Sequence, residues 1–225
     1  MEEVGTDFAA LLRKSSVWAA RLHHFNYQPA EYLHPTKREQ FTGILASDDV
    51  WNKRRARPAL SVHILATLGQ QGDACFDLAH EEWALLLLDT AQLIRLVRHV
   101  AATLYSSQIT RCIAQNKLSL WKRLLGSEGY KFALHGTRLL PDFNLAETDV
   151  EADEALTHAY SWFDTALSPA PAPMLARGRL KLPAGIPQSS VDKKLAQQLI
   201  FALLHVLEPR WHSSFAAFRT APSPR

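Results

Sequence analysis

Apolar residues recur every three or four positions along most of this 225-residue chain, which is the spacing of amphipathic helices. The widest apolar stripe runs from Leu78 to Leu104 and leaves only a narrow polar strip, so we expect one buried central helix there. Alternation with a period of two is confined to a weak run at 179–182. Further helices are expected at 6–24, 58–68, 109–114, 118–125, 130–134, 155–167 and 191–207. The pattern predicts an all-α protein, a compact irregular helical bundle with short loops and little or no sheet.

Prolines and glycines divide the predicted helices. Pro29 and Pro35 each favour the start of a short helix and prevent one helix from running through both positions. Gly126 and Gly129 can break the central region by adopting positive φ. Residues 168–187 are rich in proline, alanine and glycine, so no helix is expected to persist there. The expected organisation is a main helical domain at 1–167, a loop or linker at 168–187, and C-terminal helices at 188–219 that pack on the main domain.

Composition places the chain among ordinary globular proteins, with 47% hydrophobic and 21% charged residues. The net charge of +3 is well below what nucleic-acid binding usually requires, so no nucleic-acid partner is expected from charge alone. Cys75 and Cys112 are the only cysteines and are expected to be buried free thiols in a reducing compartment. The acidic start shows no secretory signal, and the apolar stretch at 83–88 is too short to span a bilayer. We therefore expect a cytoplasmic protein without direct membrane insertion.

Residue patterns typical of catalysis are missing from the sequence. The ten histidines are scattered, and Ala84 stands where a second ligand would follow His80 in a zinc-protease helix. No phosphate-binding glycine loop with a lysine and no nucleophile elbow is present. Adjacent carboxylates such as Glu81 and Glu82 point in different directions on a helix. The sequence thus predicts a protein that is not an enzyme and that uses no cofactor or metal.

A basic cluster is the main candidate for partner binding. It comprises Trp51, Lys53, Arg54, Arg55 and Arg57. Such a run is most often a solvated surface, but it could also bind phosphate or an acidic protein, with Trp51 adding an aromatic contact. The alternative function is therefore a helical nucleic-acid-binding or regulatory module that uses this cluster on phosphates. The acidic stretch at 147–154 is a competing candidate surface.

Three segments, taken in order, resemble the K component of bacterial type III secretion systems, the SctK or YscK family. The first is FNYQPAEYLHP, the second is the leucine-rich region 85–134 with LLGSEGYKFAL, and the third is IFALLHVLEPRWHSSF at 200–215. The matching residues are Phe25, Asn26, Pro29, Tyr32, His34, Pro35, Leu125, Gly126, Phe132, Pro209, Trp211 and Phe215. The basic run at 53–57 and the alanine-proline stretch at 168–173 match no segment of the family.

The resemblance implies a non-enzymatic adaptor in the sorting platform of a type III secretion system, a machinery of bacterial virulence. Such a subunit is cytoplasmic and peripheral to the inner-membrane apparatus through its partners. It links the cytoplasmic, forkhead-associated-like domain of the D component in the inner-membrane ring to the pods made of the Q component. The L component and the ATPase lie further along the same assembly. We expect the basic cluster to face the D component, because exposed cations beside an aromatic residue attract an acidic partner.

Overall fold

The computed structural model describes residues 15–40, 47–141, 143 and 150–220, and within these residues the chain forms helices and no strand. The prediction of an all-α helical bundle is confirmed. The α-helices are α1 Ser16–Tyr27, α2 Asp48–Trp51, α3 Arg57–Thr67, α4 Trp83–Leu86, α5 Thr90–Leu104, α6 Ser106–Arg111, α7 Gln115–His135, α8 Ala155–Leu167, α9 Ala172–Arg179, α10 Lys193–Leu207 and α11 Pro209–Thr220. Short 3-10 helices occupy Pro29–Glu31, Pro35–Gln40, Arg54–Ala56 and Gly136–Leu139.

The contacts divide the chain into two compact units, each built from separate stretches of sequence. The first unit contains Met1–Asp89, Pro169–Ala184 and Arg210–Arg225. Its core is rich in aromatic side chains, since Phe25 and Trp83 are buried against each other with ring centroids 5.2 Å apart. Aromatic pairs in this edge-to-face geometry contribute about 0.5–1.5 kcal/mol beyond the area that they bury.

The second unit contains Thr90–Ser168 and Gly185–Pro209. Helix α5 is its centre and packs against α7, α8 and α10. Alanines at the contacts let the helix axes approach closely, because a methyl side chain fills little space between two backbones. The fully buried alanines of this unit are Ala101, Ala102, Ala155, Ala159, Ala166 and Ala196.

The expected continuous helix at 78–104 is wrong, because the structure divides it into α4 and α5. Carbonyl oxygens at the break accept hydrogen bonds from cationic side chains that are distant in sequence. Lys181 Nζ donates to the carbonyls of Leu86 and Leu88, the latter at 2.7 Å, and Arg21 donates to the carbonyl of Leu87 at 3.1 Å. These bonds satisfy acceptors that a continuing helix would otherwise satisfy.

The expectation that no helix persists at 168–187 is also wrong, since α9 lies inside that stretch. Proline is tolerated in the first turn of a helix because the amides there have no partner within the helix. Pro171 is the residue before α9 and Pro173 lies in its first turn. The weak run at 179–182 forms successive turns in place of a strand, with Leu182 N bonded to Arg179 O.

Other predicted boundaries hold closely. Helix α3 is followed by Gly69 at φ 65°, and α8 has the expected limits. Gly126 has φ 71° and breaks α7 into two helical halves, whereas Gly129 is helical, so the two helices predicted at 118–125 and 130–134 meet at one kink. Residues 6–14 of the first predicted helix lie outside the described residues. The part of this helix that is described begins after its N-cap residue Ser15, whose side chain accepts a hydrogen bond from Trp18 N.

Among the described residues, no helix has the length and apolar character needed to cross a membrane.

Candidate partner-binding surface

The basic segment, defined as Lys53, Arg54, Arg55 and Arg57, lies in the first unit after α2, and its last residue, Arg57, begins α3. A single 3-10 turn at Arg54–Ala56 carries its centre. Lys53, Arg54 and Arg55 are exposed, and within the described part of the chain none of their side chains forms an ion pair or hydrogen bond. Three consecutive cations therefore face solvent here.

Trp51 does not belong to this exposed surface. It is only 1% exposed and belongs to the core of the first unit. The Arg38 guanidinium lies 5.2 Å from the centroid of the Trp51 ring, and Arg38 Nη1 is 3.3 Å from a carboxylate oxygen of Asp48. Trp51 thus anchors α2, and the expectation that it presents an aromatic contact to a partner fails because its ring is buried.

Arg57 also has a structural role. Its Nη1 donates to the carbonyl of Ala30 at 2.7 Å and lies 3.6 Å from a carboxylate oxygen of Glu31. Both acceptors belong to the 3-10 turn that Pro29 begins. The start of α3 is thereby fastened to the proline-containing segment, and Arg57 is already occupied within the unit.

The outer face of α3 adds exposed apolar surface directly after the three cations. Pro58, Ala59, Val62 and Ala66 are exposed at helical spacing, with Val62 at 59%. The opposite face of α3 is buried. An apolar strip with cations at one end has the composition of a protein interface, where a desolvated centre is bordered by a polar rim. The helical spacing of these four residues is visible in the sequence.

The three cations that precede α3 do not stabilise this helix through its dipole. The N-terminus of a helix carries a partial positive charge, so Arg or Lys beside it is unfavourable and Asp or Glu is favoured. No acidic residue lies in the first turn of α3. A choice of residues that opposes local stability is expected at functional sites. The three cations and the apolar strip of α3 together form the candidate surface.

The segment FNYQPAEYLHP is part of the core of the first unit. The rings of Phe25 and Tyr32 stack with centroids 5.8 Å apart, and the Tyr32 hydroxyl donates to the carbonyl of Phe25 at 2.6 Å. Burial raises the pKa of the Tyr32 hydroxyl well above its ordinary value. Pro29 and Pro35 each begin a 3-10 helix, as predicted. The backbone amide of His34 donates to the carbonyl of Leu180 at 2.8 Å, which fastens the end of the segment.

Asn26 has a role that the sequence did not reveal. It is completely buried, its Nδ2 donates to the carbonyl of Cys75 at 2.8 Å, and its Oδ1 accepts from the amide of Cys75 at 2.9 Å. One side chain thus satisfies both backbone groups of a residue 49 positions away. Asn26 thereby holds the loop after α3 in place. Cys75 and Cys112 are free and only partly buried, which corrects the expectation of buried thiols.

Two cations, the buried Arg177 in α9 and the partly buried Lys181 after it, were not predicted from the sequence. Arg177 is 1% exposed and donates to the backbone carbonyl and side-chain oxygen of Gln70, each at 3.0 Å, and to Pro173 O at 3.2 Å. Lys181 Nζ lies 5.2 Å from the Tyr32 ring centroid, and burial lowers the pKa of Lys181 to about 7. Both cations have carbonyl oxygens as their partners, so they stabilise the fold and are not available to a ligand.

In the second unit, the family-like central segment surrounds the kink of α7. Leu125 is buried directly before Gly126, and Phe132 lies edge-on to the buried His99, with ring centroids 4.9 Å apart. Arg95 Nε donates to Glu128 at 3.0 Å just after the kink, and Arg95 Nη1 donates to Glu208 at 2.6 Å. The hydrogen bond from Arg95 lowers the pKa of Glu128. Arg95 therefore joins α5, α7 and the end of α10.

The C-terminal family-like segment also has structural contacts. Pro209 begins α11, and the Trp211 indole Nε1 donates to the carbonyl of Ala84 at 2.9 Å. Phe215 is buried against Trp18, with ring centroids 5.2 Å apart. Most of the residues that carry the resemblance thus have structural contacts within their units, and the exposed candidate surface is made of other residues.

Comparisons with known proteins identify a family. A family model described as "YOP proteins translocation protein K (YscK)" matches residues 20–213 of the chain. No curated protein and no solved structure matches it. Within the described residues, no group of three or more His, Cys, Asp or Glu side chains is placed to hold a metal ion.

Proposed function

Since the chain belongs to the YscK family of type III secretion proteins, we propose that it is a non-enzymatic adaptor that links the D component of the inner-membrane ring to the Q component of the cytoplasmic pods. In this role it resides in the cytoplasm at the secretion apparatus and is held there by its partners, with the L component in the same sorting platform. The observation that carries the proposal is the family match over residues 20–213, which includes the first two family-like segments and most of the third.

The candidate surface on the first unit combines exposed cations with exposed apolar side chains that can bind the D component. Lys53, Arg54 and Arg55 attract carboxylates over a range of about 8 Å at physiological salt, which steers association. The exposed face of α3 that follows them can then be desolvated by apolar side chains of the partner. No covalent chemistry is required for such a role, because an adaptor acts by holding two partners at once.

Direct binding tests the proposed function. The purified protein is mixed with the cytoplasmic domain of the D component and, separately, with the Q component of the same secretion system, and binding is measured by isothermal titration calorimetry. We expect a complex with at least one component at about micromolar affinity or tighter. If the protein is shown to be folded by circular dichroism and binds neither component, the proposed function is wrong.

Charge reversal tests the surface itself. The double variant Arg54→Glu, Arg55→Glu should weaken binding to the D component by about tenfold or more at low salt, with the difference shrinking at high salt. The matched control is Lys193→Glu, Lys194→Glu, which reverses two exposed neighbouring cations at the start of α10. Equal affinities for the wild type and the Arg54, Arg55 variant would remove this surface from the proposal while leaving the adaptor role intact.

Two features support a protein partner over a nucleic acid. The buried Trp51 ring is closed to stacking with a base, and Arg57 is engaged by Ala30 and Glu31. Phosphate binding by the remaining cations would have to decline steeply with salt. A gel-shift assay at low salt should show no affinity for DNA or RNA; a salt-sensitive shift that Arg54→Glu abolishes would support the alternative function.

A further inference from the structure

We draw no further inference here: the strongest candidate, the corner of α7 at Gly126, where the guanidinium of Arg98 on α5 lies beside the start of the second helical half, rests on a helix N-terminus whose first turn already holds the carboxylate of Glu128, and no other feature of the described residues indicates a ligand there.

Discussion

Replacing Arg177 by methionine removes a buried cation whose partners are all uncharged oxygen atoms. The guanidinium is 1% exposed and bonds both oxygens of Gln70 and the carbonyl of Pro173 at 3.0–3.2 Å, with a longer bond of 3.4 Å to the carbonyl of Asn26. These contacts fasten α9 to the end of α1 and to the loop after α3. Methionine preserves much of the apolar volume, so Arg177→Met isolates the loss of the hydrogen bonds.

The magnitude follows from the three shorter bonds. A hydrogen bond contributes a net stabilisation of about 1 kcal/mol, and more when one partner is charged, whereas burying the cation without a carboxylate has a desolvation cost that the substitution relieves. The expected loss in the free energy of unfolding is therefore about 3 kcal/mol. For a chain of this size that loss lowers the melting temperature by about 6–12 °C.

Urea denaturation followed by circular dichroism and tryptophan fluorescence measures this loss. The control is Arg179→Met, which removes an exposed arginine from the same helix and should change the free energy of unfolding by about 0.5 kcal/mol or less. Equal effects of the two substitutions, or a loss below about 1 kcal/mol for Arg177→Met, would refute the reasoning that the carbonyl partners of Arg177 stabilise the fold.

Three further perturbations follow from the structure. Gly126→Ala should cost about 1–3 kcal/mol in chemical denaturation, because φ 71° with ψ 174° is a conformation open almost only to glycine, and an unchanged free energy of unfolding would contradict this. Trp211→Phe should cost about 1–2 kcal/mol in urea denaturation, since the carbonyl of Ala84 loses its indole donor; a neutral effect would contradict the assigned bond. The pKa of Lys181 is lowered to about 7 in the folded state, so the unfolded chain binds more protons above that pH. The stability of the wild type relative to Lys181→Met should therefore rise from about pH 7 to about pH 10 and stay flat below pH 7, and an equal pH dependence of the two proteins over that range would contradict it.

Local chain chemistry explains which elements were predictable from sequence. Proline restricts the backbone angles at its own position and glycine widens the range that is allowed there. The helix starts that Pro29 and Pro35 favour and the kink that Gly126 favours are present in the structure. The apolar periodicity of α8 likewise fixed its limits. These features depend on neighbours within a few residues, which a sequence displays directly.

The remaining features depend on partners that are distant along the chain. The end of α4 is satisfied by Lys181, more than 90 residues later, so no local pattern marks the break. Trp51 follows two aspartates and precedes a basic run, yet it is buried. For the candidate surface, sequence identified the exposed cations Lys53, Arg54 and Arg55; the buried Trp51 and the occupied Arg57 required the tertiary contacts.

The division of each unit among separate stretches of sequence has a consequence for fragment mapping. The chain passes from one unit to the other at residues 89–90, 168–169, 184–185 and 209–210, so no single cut releases either unit whole. A fragment that ends at residue 168 lacks α9 and α11 of the first unit as well as α10 of the second. Truncations and split two-hybrid fragments will therefore lose partner binding by unfolding, and contact sites in this protein are better located by surface point substitutions in the intact chain.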